Sequence, residues 1–480
     1  MNFTALDFLS LIVYLILVVA LGSWFGRKQK DTKDYFLGGR NIPWYAVMLS
    51  VVATETSTLT FIGIPALAFT SDMTFLQLTF GYLIARIIVS FLFLPAYYRG
   101  EMLTAYELID RRFGQKMRKY TTFVFMITRV LADGVRLFAT AIPLKLATGF
   151  SYPTSIAIIG IVTLIYTYFG GIKAVVWMDV IQFFLYIGGA LIAFFIILHL
   201  LPNGWSDVVS IAGPAGKFKI FNPAVSLSVP YTIWAGILGG TFLTMASHGT
   251  DQLMVQRLLS CRNLKDSQTA LISSGFVIII QFAFFLTIGV MLYAFYQKFP
   301  LVHPLGRSDE IFPRFIVTYL PHGVAGLVVA SIFAAAMSSL SGSINSLASS
   351  SMWDIIKPAL GKKLTAAKEL FASRLITMAW GLLLIGMAVL AGNWGNVLVV
   401  GLTIASYTYG GMLGTFLLGL LSKRTDQWDA MIAMTIGLIS ILIVQTQHIA
   451  WPWIVPIGTF ITYFAGQIVA GGRRVIVKNR

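Results

Sequence analysis

The chain has 480 residues, of which 57% are hydrophobic and 11% charged, with a mean hydropathy of +0.80, a formal net charge of +16 and a single cysteine, Cys261. Soluble domains carry about 25% charged residues, so a soluble globular protein and a disordered chain are excluded, and one cysteine cannot build a disulfide scaffold. A polytopic membrane protein remains, because a spanning helix needs about 20 apolar residues. Thirteen apolar segments follow in chain order, at 7–26, 43–70, 75–98, 120–148, 153–170, 175–201, 226–256, 267–297, 321–356, 370–391, 394–421, 428–447 and 450–471. Leu and Phe dominate them and few alternate, so they read as helices and not as barrel strands. The first starts after Asp7 with no basic residue before it and no small-residue cleavage site, unlike a signal peptide.

Lys and Arg crowd the odd-numbered loops: Lys30, Lys33 and Arg40 in the first, Arg99, Arg111, Arg112, Lys116, Arg118 and Lys119 in the third, Lys357 and Lys368 in the ninth. The tail adds Arg473, Arg474, Lys478 and Arg480, while the even-numbered loops are nearly bare apart from two long ones. The positive-inside rule then puts the N-terminus outside and the C-terminus in the cytoplasm of a cell membrane, inner or plasma. This bias accounts for the net charge without a nucleic-acid partner. Trp44, Trp205, Trp353, Trp394 and Trp451 fall near span ends, as an interfacial belt would.

Segment 2 reads SVVATETSTLTFIGIP, with Thr54, Thr56, Ser57, Thr58 and Thr60 around Glu55 and ahead of Gly63 and Pro65. Segment 7 reads AGILGGTFLTMASHGTDQ, rich in Gly and carrying Ser247, His248 and Asp251. Both make poor continuous helices in lipid, where freed backbone groups must find partners. They stand five segments apart, the placing expected of two broken helices in an inverted-repeat transporter. Segment 9 presents Ser338, Ser339, Ser341, Ser343 and Ser346 at helical spacing behind Ala334, Ala335 and Ala336. Hydroxyls and freed carbonyls suit a hard monovalent cation, although a stripe of small residues also serves as a packing seam.

Charges inside a membrane are rare and functional by default. Thr79, Tyr82 and Arg86 share one face of segment 3; Arg129, Asp133 and Arg136 share one face of segment 4, with Asp133 in reach of both arginines. Counting Glu55, Arg86, Arg129, Asp133 and Arg136, three bases face two acids. A substrate carboxylate would close that balance, since a guanidinium fork fits one bidentately. His248 reads as a polar wall and not as a metal ligand. No HExxH, paired-cysteine, phosphate-loop or Ser-His-Asp pattern stands out, so neither an enzyme nor an ATP-driven pump is expected, and no organic cofactor.

Four motifs carry a resemblance over nearly the whole chain: TAYELIDRRFG at 104–114, YFGGIKAVVWMDVIQ at 168–182, GTDQLMVQR at 249–257 and AAAMSSLSGSINS at 334–346. With them the chain resembles the sodium:solute symporter family, which has the leucine-transporter-type core. The resemblance implies an all-α membrane protein of about thirteen helices, segments 2 to 11 forming a five-plus-five inverted repeat, and coupling to sodium as the only metal. The organisation it implies is one membrane domain over 1–480: a first helix and loop at 1–40, a ten-helix core at 41–424, and two further helices and a tail at 425–480.

Carried over by motif, sodium would meet main-chain oxygens of Ala53, Thr56 and Ala335 and the hydroxyls of Ser338 and Ser339. A second sodium of the two-ion type would use Asp179 and Ser341, but the next serine position is Gly342. The substrate positions are Glu55, Ser57, Thr60, Thr79, Tyr82, Arg86, Arg129, Asp133, Arg136, Thr244, Ser247 and His248. The amides, acid and gating tyrosine of a sugar site are absent, and segment 7 is more similar to the branch carrying monocarboxylates, proline and vitamins. The expectation is a monomeric symporter importing a small carboxylate-bearing solute, a monocarboxylate or an amino acid, by alternating access. The rival reading is a sodium-coupled symporter of sialic acid or sugar.

Overall fold

The computed structural model describes residues 3–26, 29–100, 102–301, 303–360, 365–393 and 397–478. Among these the chain is helical, with no strand beyond an isolated bridge between Ile42 and Cys261. The main helices are α1 (Ala5–Phe25), α2 (Trp44–Glu55), α3 (Thr58–Thr70), α4 (Leu76–Leu92), α5 (Gln115–Thr148), α6 (Tyr152–Leu200) and α7 (Gly240–Gly249). They continue as α8 (Gln252–Leu259), α9 (Leu264–Lys298), α10 (Val324–Ser350), α11 (Ala366–Leu390), α12 (Val397–Leu421), α13 (Gln427–Gln445) and α14 (Ile454–Lys478). Nine described helices are long and apolar enough to cross a membrane, ten with the bent pair α2–α3 counted as one.

Segment 2 is broken as expected: α2 and α3 meet at an angle of 58°. Segment 7 is broken too, but it begins later than 226. Residues 219–231 form no helix, a π-helical turn covers Ala235–Gly239, and α7 and α8 part at Thr250 and Asp251. Segments 5 and 6 run on as one helical stretch, α6, interrupted only at Gly171 (φ 56°, ψ −160°). A side chain there would collide with the Tyr35 carbonyl, so glycine lets the chain turn where another helix presses against it. Segment 9 is α10 followed by a π-helical turn over Ser351–Ile356.

Helix α10 lies at the centre, with nearly every residue buried, packed against α5, α6 and α1. Its alanines and serines allow these close approaches. Asp7 holds its N-terminal end, with Oδ1 accepting from the amides of Gly323 (2.7 Å) and Gly326 (2.9 Å). Large apolar side chains such as Phe91, Phe184, Ile280 and Leu390 point outward, the reverse of a soluble protein and the pattern a bilayer solvates. The tryptophan belt is smaller than expected. Trp44 and Trp205 are exposed, whereas Trp353 and Trp451 are buried against protein, and Trp394 lies outside the described residues.

Candidate functional site

The break in segment 2 starts at Glu55, after which Thr56 leaves helical geometry (φ −82°, ψ 75°). The Ser57 amide turns to the Glu55 carbonyl (3.0 Å) and the Thr60 amide to the Ser57 carbonyl (2.9 Å). The carbonyls of Ala53 and Thr56 thereby lose their usual helical donors. Helix α10 faces this break. Ser339 donates its hydroxyl to the Thr54 carbonyl (2.9 Å) and lies 3.5 Å from the Ala335 carbonyl, while the buried Ser338 hydroxyl has no partner. The break and the two serines thus gather neutral oxygens at one place. Gln281 of α9 donates to the Thr56 hydroxyl and accepts from Tyr186 of α6 at 3.0 Å. Neither residue stood out in the sequence.

Asp179 and Ser341 lie next to this group, with Asp179 Oδ2 3.5 Å from the Thr54 hydroxyl. Asp179 Oδ2 accepts from Ser50 and from Arg257 Nη2 (3.1 Å), and Oδ1 has no partner. The Ser341 hydroxyl donates to the Ser338 carbonyl (3.1 Å). Arg257 also donates to Ser50 Oγ and to the Leu253 carbonyl, both at 2.9 Å. Its partnership with Asp179 links two of the family-like motifs.

A cavity of about 100 Å³ opens beside the break. Of the substrate positions expected from sequence, Glu55, Thr60, Tyr82, Arg129, Arg136, Thr244, Ser247 and His248 line it. Ser57 and Asp133 line a smaller void next to it, together with Arg136 and Ser339. Thr79 and Arg86 do not line either; the Thr79 hydroxyl donates to the Leu76 carbonyl at 2.7 Å. The wall is completed by residues that sequence reasoning missed: Thr54, Asp251 and Tyr409 on the polar side, Ile64, Phe75, Leu243 and Phe282 on the apolar side.

The charges pair almost completely. Arg86, fully buried, pairs with Glu55 and donates to Ser274 Oγ (3.0 Å) and the Tyr82 carbonyl (3.1 Å). Its Nη2 lies 3.4 Å from His248 Nε2. A guanidinium only donates, so Nε2 accepts, and the imidazole proton sits on Nδ1, donated to Ser247 Oγ at 2.8 Å. Arg129 meets Asp251 (3.3 Å) and Asp133 (3.6 Å) and donates to Tyr409 Oη (2.7 Å), which donates in turn to Asp251 (2.7 Å). Asp251 therefore changes the expected count: three bases face three acids, and no surplus positive charge is left over. Arg136 differs from the other two arginines. Its side chain is 22% exposed, against 0–1% for Arg86 and Arg129, and its acid partner is Asp133 (3.1 Å), already shared with Arg129.

Comparison with known proteins shows the family. The pattern of the sodium:solute symporter family matches residues 35–437. The chain is similar to the sodium/sialic acid symporter SiaT of Proteus mirabilis, 30% identical with 92% of this chain and 90% of that one covered. It is also similar to sodium-coupled monocarboxylate transporter 1 of Mus musculus, 29% identical with 91% and 72% covered. A solved structure of a Na⁺-coupled sialic acid symporter, substrate-bound and outward-open, superposes with a TM-score of 0.90 at 30% identity over 98% of each chain. The chain belongs to the sodium:solute symporter family, and is a multi-pass, sodium-coupled, alternating-access carrier of a small solute and not an enzyme.

Proposed function

We propose that the chain imports a carboxylate-bearing solute together with sodium, and that Arg136 receives the carboxylate. The observation that carries this reading is the contrast among the three arginines. Arg86 and Arg129 are fully buried and spent on Glu55 and on Asp251 and Tyr409, whereas Arg136 lines the cavity with its side chain 22% exposed and has as acid partner only Asp133, which it shares with Arg129. A guanidinium with spare donors on a cavity of mixed polar and apolar lining suits a carboxylate. Sodium would sit at the break, between the carbonyls of Ala53, Thr56 and Ala335 and the hydroxyls of Ser338 and Ser339. The chain would act as a single copy.

The wider arrangement follows the same reading. The thirteen segments span the membrane, with segments 2 to 11 as the inverted repeat whose two breaks, at Glu55–Ser57 and Thr250–Asp251, meet at the cavity. The N-terminus lies outside and the basic loops lie in the cytoplasm.

Two solutes suit the cavity. A sialic-acid-type sugar acid is supported by the hydroxyls of Thr60, Tyr82, Thr244 and Ser247 and by the sialic acid relatives. A short monocarboxylate is supported by the apolar wall of Ile64, Phe75, Leu243 and Phe282 and by the monocarboxylate relatives. The amino-acid reading loses its support, because Glu55, the group that would meet an amine, is held by Arg86. Binding of N-acetylneuraminate, propionate, proline and glucose to the purified protein, with and without sodium, decides among them. Arg136→Gln should weaken the carboxylate that binds by about tenfold or more, since a hydrogen bond to a charged group contributes roughly 1.5–3 kcal/mol. High-affinity glucose binding that Arg136→Gln leaves untouched would overturn the reading.

A further inference from the structure

A second void, of about 10 Å³, lies beside the cavity, lined by Ser57, Thr58, Asp133, Arg136, Ala336 and Ser339. It has room for one water molecule. It is placed where the break in segment 2, helix α5 and helix α10 meet, and it touches the proposed sodium ligand Ser339 on one side and the proposed carboxylate anchor Arg136 on the other. Asp133 is 2% exposed, and its two oxygens differ. Oδ1 takes Arg136 (3.1 Å) and Arg129 (3.6 Å), while Oδ2 has no partner. A buried carboxylate oxygen without a donor is costly. Thr58 cannot easily supply one, because its hydroxyl is engaged with Thr140 (3.2 Å) and the Ile332 carbonyl (3.4 Å). Nor is a cation called for: Arg129, Arg136, Asp133 and Asp251 already balance, so a neutral occupant fits.

We infer that this void holds one water donating to Asp133 Oδ2, and that Asp133 couples sodium to substrate through it. The inference rests on Ser339 as a sodium ligand and Arg136 as the carboxylate anchor. Without sodium, Ser339 spends its proton on the Thr54 carbonyl at 2.9 Å. An ion at the break takes a lone pair of that hydroxyl and turns its O–H away, toward the water. The water is then fixed with a proton on Asp133 Oδ2. A carboxylate with an added donor holds Arg136 less strongly, and the guanidinium is freed for the solute. The reverse holds by linkage: solute that draws Arg136 off Asp133 strengthens the pull of Asp133 on the water, which keeps Ser339 turned to the ion. Asp133 is thus a positioning residue, acting on both sites while touching neither ligand.

The test measures the tightening of solute binding by sodium, using N-acetylneuraminate, or propionate where that alone binds, by calorimetry at low and at saturating sodium. The wild type should show a tightening of about fivefold or more, the lower range of measured allosteric couplings. Asp133→Asn should still bind sodium and solute, with the tightening reduced below about twofold. Ala336→Val adds methyl groups to the void without removing any polar group, and should act the same way. A tightening unchanged in both variants overturns the inference. So does a density map of the wild type, at a resolution that shows waters, in which the void is empty or holds an ion. Failure of the parent reading is a separate outcome, read as solute binding that Arg136→Gln does not weaken.

Discussion

Arg257 lies against the bare Cα of Gly342, where a β-carbon would collide with its guanidinium, and the same guanidinium holds Asp179 at 3.1 Å. The acid that a second sodium would use is therefore already met by a tethered cation, and the missing side chain at position 342 makes room for it. We predict one sodium per cycle, with a Hill coefficient near one for sodium in uptake. Gly342→Ser should push Arg257 off Asp179 and lower stability by roughly 3–5 kcal/mol, the cost of breaking a buried pair. A Hill coefficient near two that falls to one in Asp179→Ala would show a second ion.

One sodium and one monoanionic solute carry no net charge together. Transport should then be electroneutral, without the roughly 2.3 kcal/mol per 100 mV that a net charge would draw from the membrane potential. A tenfold sodium gradient alone supplies about 1.4 kcal/mol, so accumulation should stop near tenfold. Proteoliposomes with an imposed potassium diffusion potential check this. Uptake driven strongly by an inside-negative potential would mean a second ion or a neutral solute.

Ser339→Ala removes one ligand hydroxyl and one hydrogen bond to the Thr54 carbonyl. A net loss of about 1 kcal/mol corresponds to a rise of about fivefold in the sodium concentration for half-maximal uptake. Ser338→Ala should act alike, and with less effect on folding, because the Ser338 hydroxyl has no protein partner to lose. Sodium titrations of uptake that superpose on the wild type for both variants would remove the serines from the site.

The break at Glu55 was legible because hydroxyl side chains, Gly63 and Pro65 gather at mid-span, and the Arg129–Asp133–Arg136 cluster because it is local on one helix. Partnerships across the fold were not. Asp251 stands in a glycine-rich segment with nothing in sequence to tie it to Arg129, and only the approach of α12, which brings Tyr409 to it, shows that it neutralises Arg129. Gln281 reaches Thr56 across 225 positions of sequence, and nothing in its own segment marks it. The first residues of segment 7, Leu227 and Val229 among them, are apolar yet exposed and non-helical. That stretch is held by bonds no helix pattern reveals: the Met73 amide to the Lys219 carbonyl (3.1 Å) and the Ala450 amide to the Leu227 carbonyl (2.8 Å). Gly171 carries the opposite lesson, since one left-handed residue suffices where a loop of several was expected.

The last prediction concerns the basic end of the bundle, cytoplasmic in the proposed orientation. Arg118, in the first turn of α5, donates through Nε (2.9 Å) and Nη2 (2.7 Å) to Asp354 Oδ1, in the π-helical turn after α10. Its Nη1 reaches Asp110 (2.8 Å), and Thr104 donates to Asp354 at 2.6 Å, so the TAYELIDRRFG motif closes around the same pair. This cluster ties together the inner ends of the helix with the sodium serines and the helix with Arg136, and those ends must part for release inward. Asp354→Asn keeps the shape but removes the charge opposite Arg118, and should favour the inward-open state. The single cysteine, Cys261, is buried, so a Ser247→Cys reporter in a Cys261→Ala background reads cavity access directly. Asp354→Asn should speed its labelling from the inner side by about tenfold or more, a shift of roughly 1.4 kcal/mol. Arg118→Lys should do so in part, because an ammonium cannot fork between Asp354 and Asp110. If labelling and melting temperature both stay at wild-type values, the cluster does not close the inner path.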